Sequence, residues 1–136
     1  SLYEQILTAT DERFARVLQA HAAVDLENIP SIHKLRIAFK KFRYTLEIVN
    51  PLLTNFPAAT FERMHGYQSM MGNIQDLEVA SQTFAELTDA SQPDLEPVTN
   101  HYASRLRTAV FRFVEDKGEA FTFWRNTPDQ PFPWEK

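Results

Sequence analysis

Hydrophobic positions along the chain recur at spacings of three and four, and no stretch alternates apolar and polar residues for the length of a strand. Residues 2–24 place Ile6, Thr10, Phe14, Val17, Leu18, His21 and Val24 on one side of a first helix. Residues 25–30 read as a turn, with Pro30 halting propagation and Ser31 capping a second helix that runs to about Asn50. Its stripe is Ile32, Leu35, Phe39, Phe42, Leu46 and Val49, and Pro51 ends or kinks it. The third helix spans about Ala58 to Leu87, with Met64, Tyr67, Met71 and Ile74 on one line and Met70, Ile74, Leu77 and Phe84 beside it. Gly72 is costly inside a helix, so a neighbouring helix is expected to come close there, with a kink as the second reading. After a loop at 88–94, a fourth helix starts near Asp94 or Leu95, because Pro97 fits only a first turn. Val98, Tyr102, Leu106, Val110, Phe113 and Phe121 continue its pattern. Gly118 either breaks this helix or lets it run on to Trp124. The prediction is an all-α fold, an antiparallel four-helix bundle over residues 1–125, followed by an extended Pro-rich tail over 126–136. Phe132 and Trp134 either dock that tail on the body or mark a surface for a larger partner.

Composition narrows the function. The 136 residues fit one domain with a real core. With no cysteine, disulfides, thiolate metal sites and thiol nucleophiles are excluded, and a reducing compartment is permitted. No apolar run approaches the roughly 20 residues of a membrane span, and no signal-peptide pattern opens the chain. The first residue is Ser1 and not an initiator Met, as expected either of an excised segment or of a first residue added to the natural chain. A net charge of −4 argues against nucleic-acid binding by the whole surface, but not against a local anion site.

Such a site is suggested by charge placement. Five of the fourteen Lys and Arg residues lie between Lys34 and Arg43, and no acid occurs between Glu27 and Glu47. At roughly 100° per residue, His33, Arg36, Lys40, Arg43 and Tyr44 form a row bordering the core stripe, continued by Glu47, whereas Lys34 and Lys41 point away. One reading is a solvated face whose long stems cover the helix. The other is a groove that holds an anion, aided at His33 by free N–H groups of the first turn. Solvated helices usually mix signs to gain i,i+4 pairs, and this one does not. Helix four carries a second row, His101, Arg105 and Arg112 with Arg107 to one side, which either binds a ligand or pairs with Glu115 and Asp116. Asp76 is either an acid that orients an Arg of helix two or a plain surface acid. Asp76 and Glu78, two residues apart, do not face each other as a dyad. The spacing of His21, His33, His65 and His101 supports no metal site, and neither a phosphate loop nor a dinucleotide fingerprint is present.

The stretch Ile32-His-Lys-Leu-Arg-Ile-Ala-Phe-Lys-Lys-Phe-Arg-Tyr-Thr-Leu-Glu47 closely resembles the signature of the CHAD domain, the conserved histidine α-helical domain. A second family feature follows about thirty residues on, Gln68, Gly72 and Gln75-Asp76-Leu77, and Phe121-Thr-Phe-Trp124 is similar to the family's late aromatic segment. The resemblance implies non-catalytic binding of inorganic polyphosphate, with no cofactor. It also implies two four-helix units related by a pseudo-twofold around a basic channel. This chain has room for one unit, and Lys41-Phe-Arg-Tyr44 with Gln75-Asp76 looks like the C-terminal one. Either an N-terminal half has been removed or two copies associate as a homodimer. Carried over by position, His33, Arg36, Lys40 and Arg43 form the inward row, with Lys34 and Lys41 less securely matched. Arg105 and Arg112 are candidate ligands from the second row. Asp76 would be an orienting acid, Gly72 a packing residue and Tyr44 a structural neighbour. The implied setting is cytoplasmic, at polyphosphate granules, with no membrane and no nucleic acid as partner.

Two other classes compete. A histidine phosphotransfer module is also a four-helix bundle with an exposed His, but it wants a Lys three residues on and then a Gly, where this chain has Arg36 and Ile37. A structural bundle would use the basic row to hold an acidic protein. A phosphohydrolase would need another domain, since no metal–carboxylate cluster is legible.

Overall fold

The computed structural model describes residues 1–89 and 92–135; Ala90 and Ser91 of the expected loop and Lys136 of the tail lie outside the described residues. Four helices carry the fold: α1 (Leu2–Ala22), α2 (Ile29–Val49), α3 (Ala59–Leu87) and α4 (Glu96–Asp116). Among the described residues there is no strand, and the architecture is an all-α helical bundle with successive helices antiparallel.

The apolar stripe of α2 is the centre of the core. Ile32, Leu35, Phe39, Phe42, Leu46 and Val49 are all buried. Phe14 of α1 packs on Phe42 at 4.9 Å between ring centroids, and Tyr67 of α3 packs on Phe39 at the same distance. From α3 come Met64, Met70, Met71 and Ile74. Phe123 and Trp124, after α4, complete the core with no exposed surface.

The start of α2 differs from expectation. The helix begins at Ile29, with Pro30 in the first turn, where its missing N–H is no loss. Ser31 therefore sits inside the helix and is not its cap. Its Oγ lies 2.7 Å from the Asn28 carbonyl and accepts the Asp25 N–H at 2.9 Å, tying down the α1–α2 turn. His33 then falls in the second turn, so its own N–H belongs to the helix ladder and the free-N–H argument does not apply to it.

Helix lengths are unequal. The 29 residues of α3 extend about 43 Å, against about 31 Å for the 21 residues of α1 or α2. The buried residues of α3 lie between Thr60 and Ile74, and those of α4 are Ala109 and Phe113. The far ends of α3 and α4 thus project as a hairpin, held by contacts such as Phe84 against Tyr102 (6.3 Å). Two positions expected on the α4 core stripe are exposed. Val98 lies on the projecting hairpin, and Phe121 lies beyond the helix end, where its ring meets His21 edge-on.

Helix α4 stops at Asp116 and the chain tightens into a 3₁₀ stretch over Lys117–Thr122, around Gly118. The Lys117 carbonyl accepts the Tyr67 hydroxyl at 2.8 Å and faces His21 Nε2 at 3.2 Å. The tail docks on the body: Phe132 stacks on Trp134 (4.7 Å, 5° between planes), Trp124 meets Phe132, and Trp134 meets Phe56.

Burial lowers the pKa of His21, against the opposing pull of its bond to the Lys117 carbonyl. The unfolded chain, with an ordinary histidine, binds the proton more readily. The stabilisation is therefore complete above pH 6.5 and is lost as the pH falls through the lowered pKa. The expected result is a wild-type advantage in Tm over His21→Gln that shrinks between about pH 7 and pH 5. Thermal melts of both proteins across that range test it, and a constant difference would refute it.

Candidate functional site

The row bordering the α2 core stripe is half-buried along its length: His33, Arg36, Lys40 and Arg43. Lys34 and Lys41, which the helical wheel points away from the core, are exposed. The packing of the stripe against α1 and α3 fixes this, because residues one position off a buried line sit at the helix–helix border.

Arg36 reaches across to α3. A Cβ built on Gly72 would lie 3.3 Å from Arg36 Nε, 3.6 Å from Nη2 and 3.7 Å from Cζ. The close approach anticipated at Gly72 is therefore made by a guanidinium and not by a helix backbone. Gly66, one and a half turns earlier on α3, has nothing within 4 Å of the corresponding point.

Four buried side-chain polar atoms have no hydrogen-bond partner among the described residues: His33 Nδ1, Arg36 Nε, Arg43 Nε and Gln68 Oε1. Three belong to the α2 row. The fourth is on α3, one turn before Gly72. Because α2 and α3 run antiparallel, Lys40, one turn beyond Arg36, comes level with Gln68. Gln68 was legible as part of the Gln68/Gly72 pair but not as a groove residue; its i,i+4 relation to Gly72 was the available signal.

The charges of the row are only partly met. Arg43 Nε stands 3.7 Å from Glu47 Oε1, too long for a good hydrogen bond, and its Cζ lies 5.2 Å from the Tyr44 ring centroid. Lys40 Nζ lies 5.9 Å from the same ring. Tyr44 is exposed and serves as a shared aromatic platform for two cations. Among the described residues, neither Arg36 nor Lys40 forms a salt bridge.

The remaining candidates lie elsewhere. Asp76 is exposed and forms no ion pair with α2. It stands two residues past the buried Ile74, roughly 200° around the helix, and so turns outward. Arg105 and Arg112 are exposed on α4. The clefts they line are walled by α3, α4 and the turn after it, through residues such as Asn73, Leu77 and Tyr67, with nothing from α2. Arg112 is paired with Asp116 at 3.7 Å. These arginines do not converge with the α2 row. No cluster of His, Asp or Glu suited to a metal gathers among the described residues, and no helix is long and apolar enough to cross a membrane.

The fold is an all-α bundle in which Arg36, Lys40 and Arg43 form a half-buried row with His33 on α2. A model of the CHAD domain matches residues 1–85, which takes in α1, α2 and nearly all of α3. The chain belongs to the CHAD domain family. No curated protein and no solved structure matches it.

Proposed function

We propose that this chain binds inorganic polyphosphate, without catalysis, along the groove between α2 and α3. The observation that carries the reading is the gathering of unpartnered buried polar atoms on one row, His33 Nδ1, Arg36 Nε and Arg43 Nε. The two guanidinium Nε–H groups are desolvated donors without a protein acceptor, and such donors favour an anion that brings its own oxygens. Family membership supports the same ligand class. Polyphosphate is a flexible chain with one charge per repeat, so spaced cations recognise it better than a single deep pocket would.

The row is flanked by α3 on one side and is open on the other. Ile37, Tyr44 and Ile48 are exposed along the outer side of α2, next to the row. A second four-helix unit, from another copy or from a longer chain, would supply the opposite wall. A phosphotransfer role for His33 is less well served, because Arg36 and Ile37 stand where such a module wants a Lys and then a Gly.

Fluorescence anisotropy with long-chain polyphosphate over a series of salt concentrations tests the reading. Engagement of the three cations Arg36, Lys40 and Arg43 by a condensed polyanion predicts a log K against log salt slope of roughly −2. Preference over single-stranded DNA and over an acidic peptide is expected. Equal binding to all three polyanions would favour a general acidic-partner surface, and no binding by a sample that sizes as a dimer would sink the proposal. Membership of polyphosphate granules in the cytoplasm is the corresponding cellular expectation, to be read by co-sedimentation with granules.

A further inference from the structure

We infer that Gly72 is a positioning residue: by having no side chain, it gives the Arg36 guanidinium a seat on α3 and so sets the angle at which the Arg36 donors meet an anion. The inference rests on the polyphosphate reading for its ligand, but the seat itself is a property of this chain alone.

The geometry is specific. A Cβ at position 72 would stand closest to Arg36 Nε, at 3.3 Å, then to Nη2 at 3.6 Å and Cζ at 3.7 Å. With both nitrogens nearer to it than the carbon they share, that point lies obliquely off the Nε/Nη2 side of the guanidinium. The guanidinium therefore packs its Nε side against α3 at Gly72, leaving the edge that includes Nη1, which is farther from that point, for hydrogen bonding. Arginine recognises phosphate through that edge, two parallel N–H donors at a time, so a tilt of the plane spoils both bonds together. Arg36 Nε has no protein partner that would fix the plane instead. Packing on Gly72 is then what orients it.

A glycine in mid-helix is unfavourable, and α3 tolerates two. Gly66 has open space where its Cβ would go, so nothing at that site requires the glycine. At Gly72 the added methyl would sit closer to Arg36 Nε than ordinary contacts allow, and the group that must yield is the end of a flexible side chain. Gly72→Ala therefore leaves the bundle intact and moves the guanidinium.

The test compares Gly72→Ala, Gly66→Ala, Arg36→Ala and the double variant Gly72→Ala/Arg36→Ala with wild type. Melting reads the fold, anisotropy with long-chain polyphosphate reads affinity, and ¹⁵N relaxation of the Arg36 Nε–H group, without ligand, reads the seat. Gly66→Ala should melt about 3 °C higher with unchanged affinity. Gly72→Ala should melt no lower than wild type, yet bind polyphosphate about 5- to 10-fold more weakly at an unchanged salt slope. Its Arg36 Nε–H should shift and gain mobility. In the Arg36→Ala background, Gly72→Ala should have no further effect on affinity. An Arg36 Nε–H as mobile in wild type as in Gly72→Ala would overturn the inference, as would an equal affinity loss in both Arg36 backgrounds. If the Nε–H responds as expected while wild type binds no polyphosphate, the seat stands and the ligand reading falls.

Discussion

Asp11→Ala should destabilise the fold by about 3 kcal/mol, the largest single-residue effect expected away from the core stripe. Asp11 on α1 accepts three hydrogen bonds from the chain after α4. Trp124 Nε1 donates to Oδ1 at 2.8 Å, Arg125 Nε donates to Oδ1 at 2.9 Å, and Arg125 Nη2 donates to Oδ2 at 2.7 Å. The side chains of the ion pair retain only 14% and 10% of their exposure. Truncation leaves a mostly buried guanidinium and a fully buried indole N–H without their acceptor, and desolvated groups left unpaired account for most of the loss. The damage also spreads. Arg125 lies over Phe132 at 4.5 Å, and Phe132 and Trp134 stack against Trp124, so the tail loses its anchor together with α1. Urea unfolding of wild type, Asp11→Ala and Asp11→Asn measures this. Asn keeps one carbonyl acceptor, so it should lose less than Ala. A loss under 1 kcal/mol for Ala would mean that the tail is held by its aromatic stack alone.

That hub was invisible in the sequence, and the reason is distance. Asp11 sits 113 residues from Trp124, on an amphipathic helix where an acid beside Thr10 looks like a surface residue. Periodicity reports which face of a helix is buried, and does so well when the stripe is strict. All six apolar positions read from α2 are buried, and the basic residues divide into a bordering row and an exposed pair as the helical wheel requires. What periodicity cannot report is who stands opposite. At Gly72 the sequence signalled a missing side chain but not that an arginine fills the space. At Asp76 it offered a carboxylate within plausible reach of α2, and the rotation of α3 turned that carboxylate to solvent. On α4 the repeat continued through Val98, but burial did not, because α3 and α4 outrun the two helices that would cover them. The split between Arg36 and the α4 arginines has the same origin. Charge clusters read along a chain do not say on which side of an intervening helix they lie.

Replacing Arg36, Lys40 and Arg43 together by alanine should weaken polyphosphate binding by more than about 100-fold at low salt. Charge-assisted hydrogen bonds contribute about 1.5–3 kcal/mol each, so the loss of three exceeds that bound even when they are far from additive. The salt slope should fall from roughly −2 toward zero, because all three cations of the row are gone. The fold should survive. The substitutions remove two buried Nε atoms that have no partner, which offsets the packing lost from the long stems. The decisive comparison is with Lys34→Ala/Lys41→Ala, which takes two charges from the same helix at exposed positions. If charge alone attracted the polyanion, removing those two lysines would hurt as much as removing Arg36 and Lys40. If the groove selects it, the exposed pair should account for no more than about 3-fold, because solvated and screened cations contribute little beyond steering. Equal losses in the two double variants would reduce the α2 row to a diffuse positive face. A large difference would place recognition at the half-buried donors, where exclusion of water strengthens each contact.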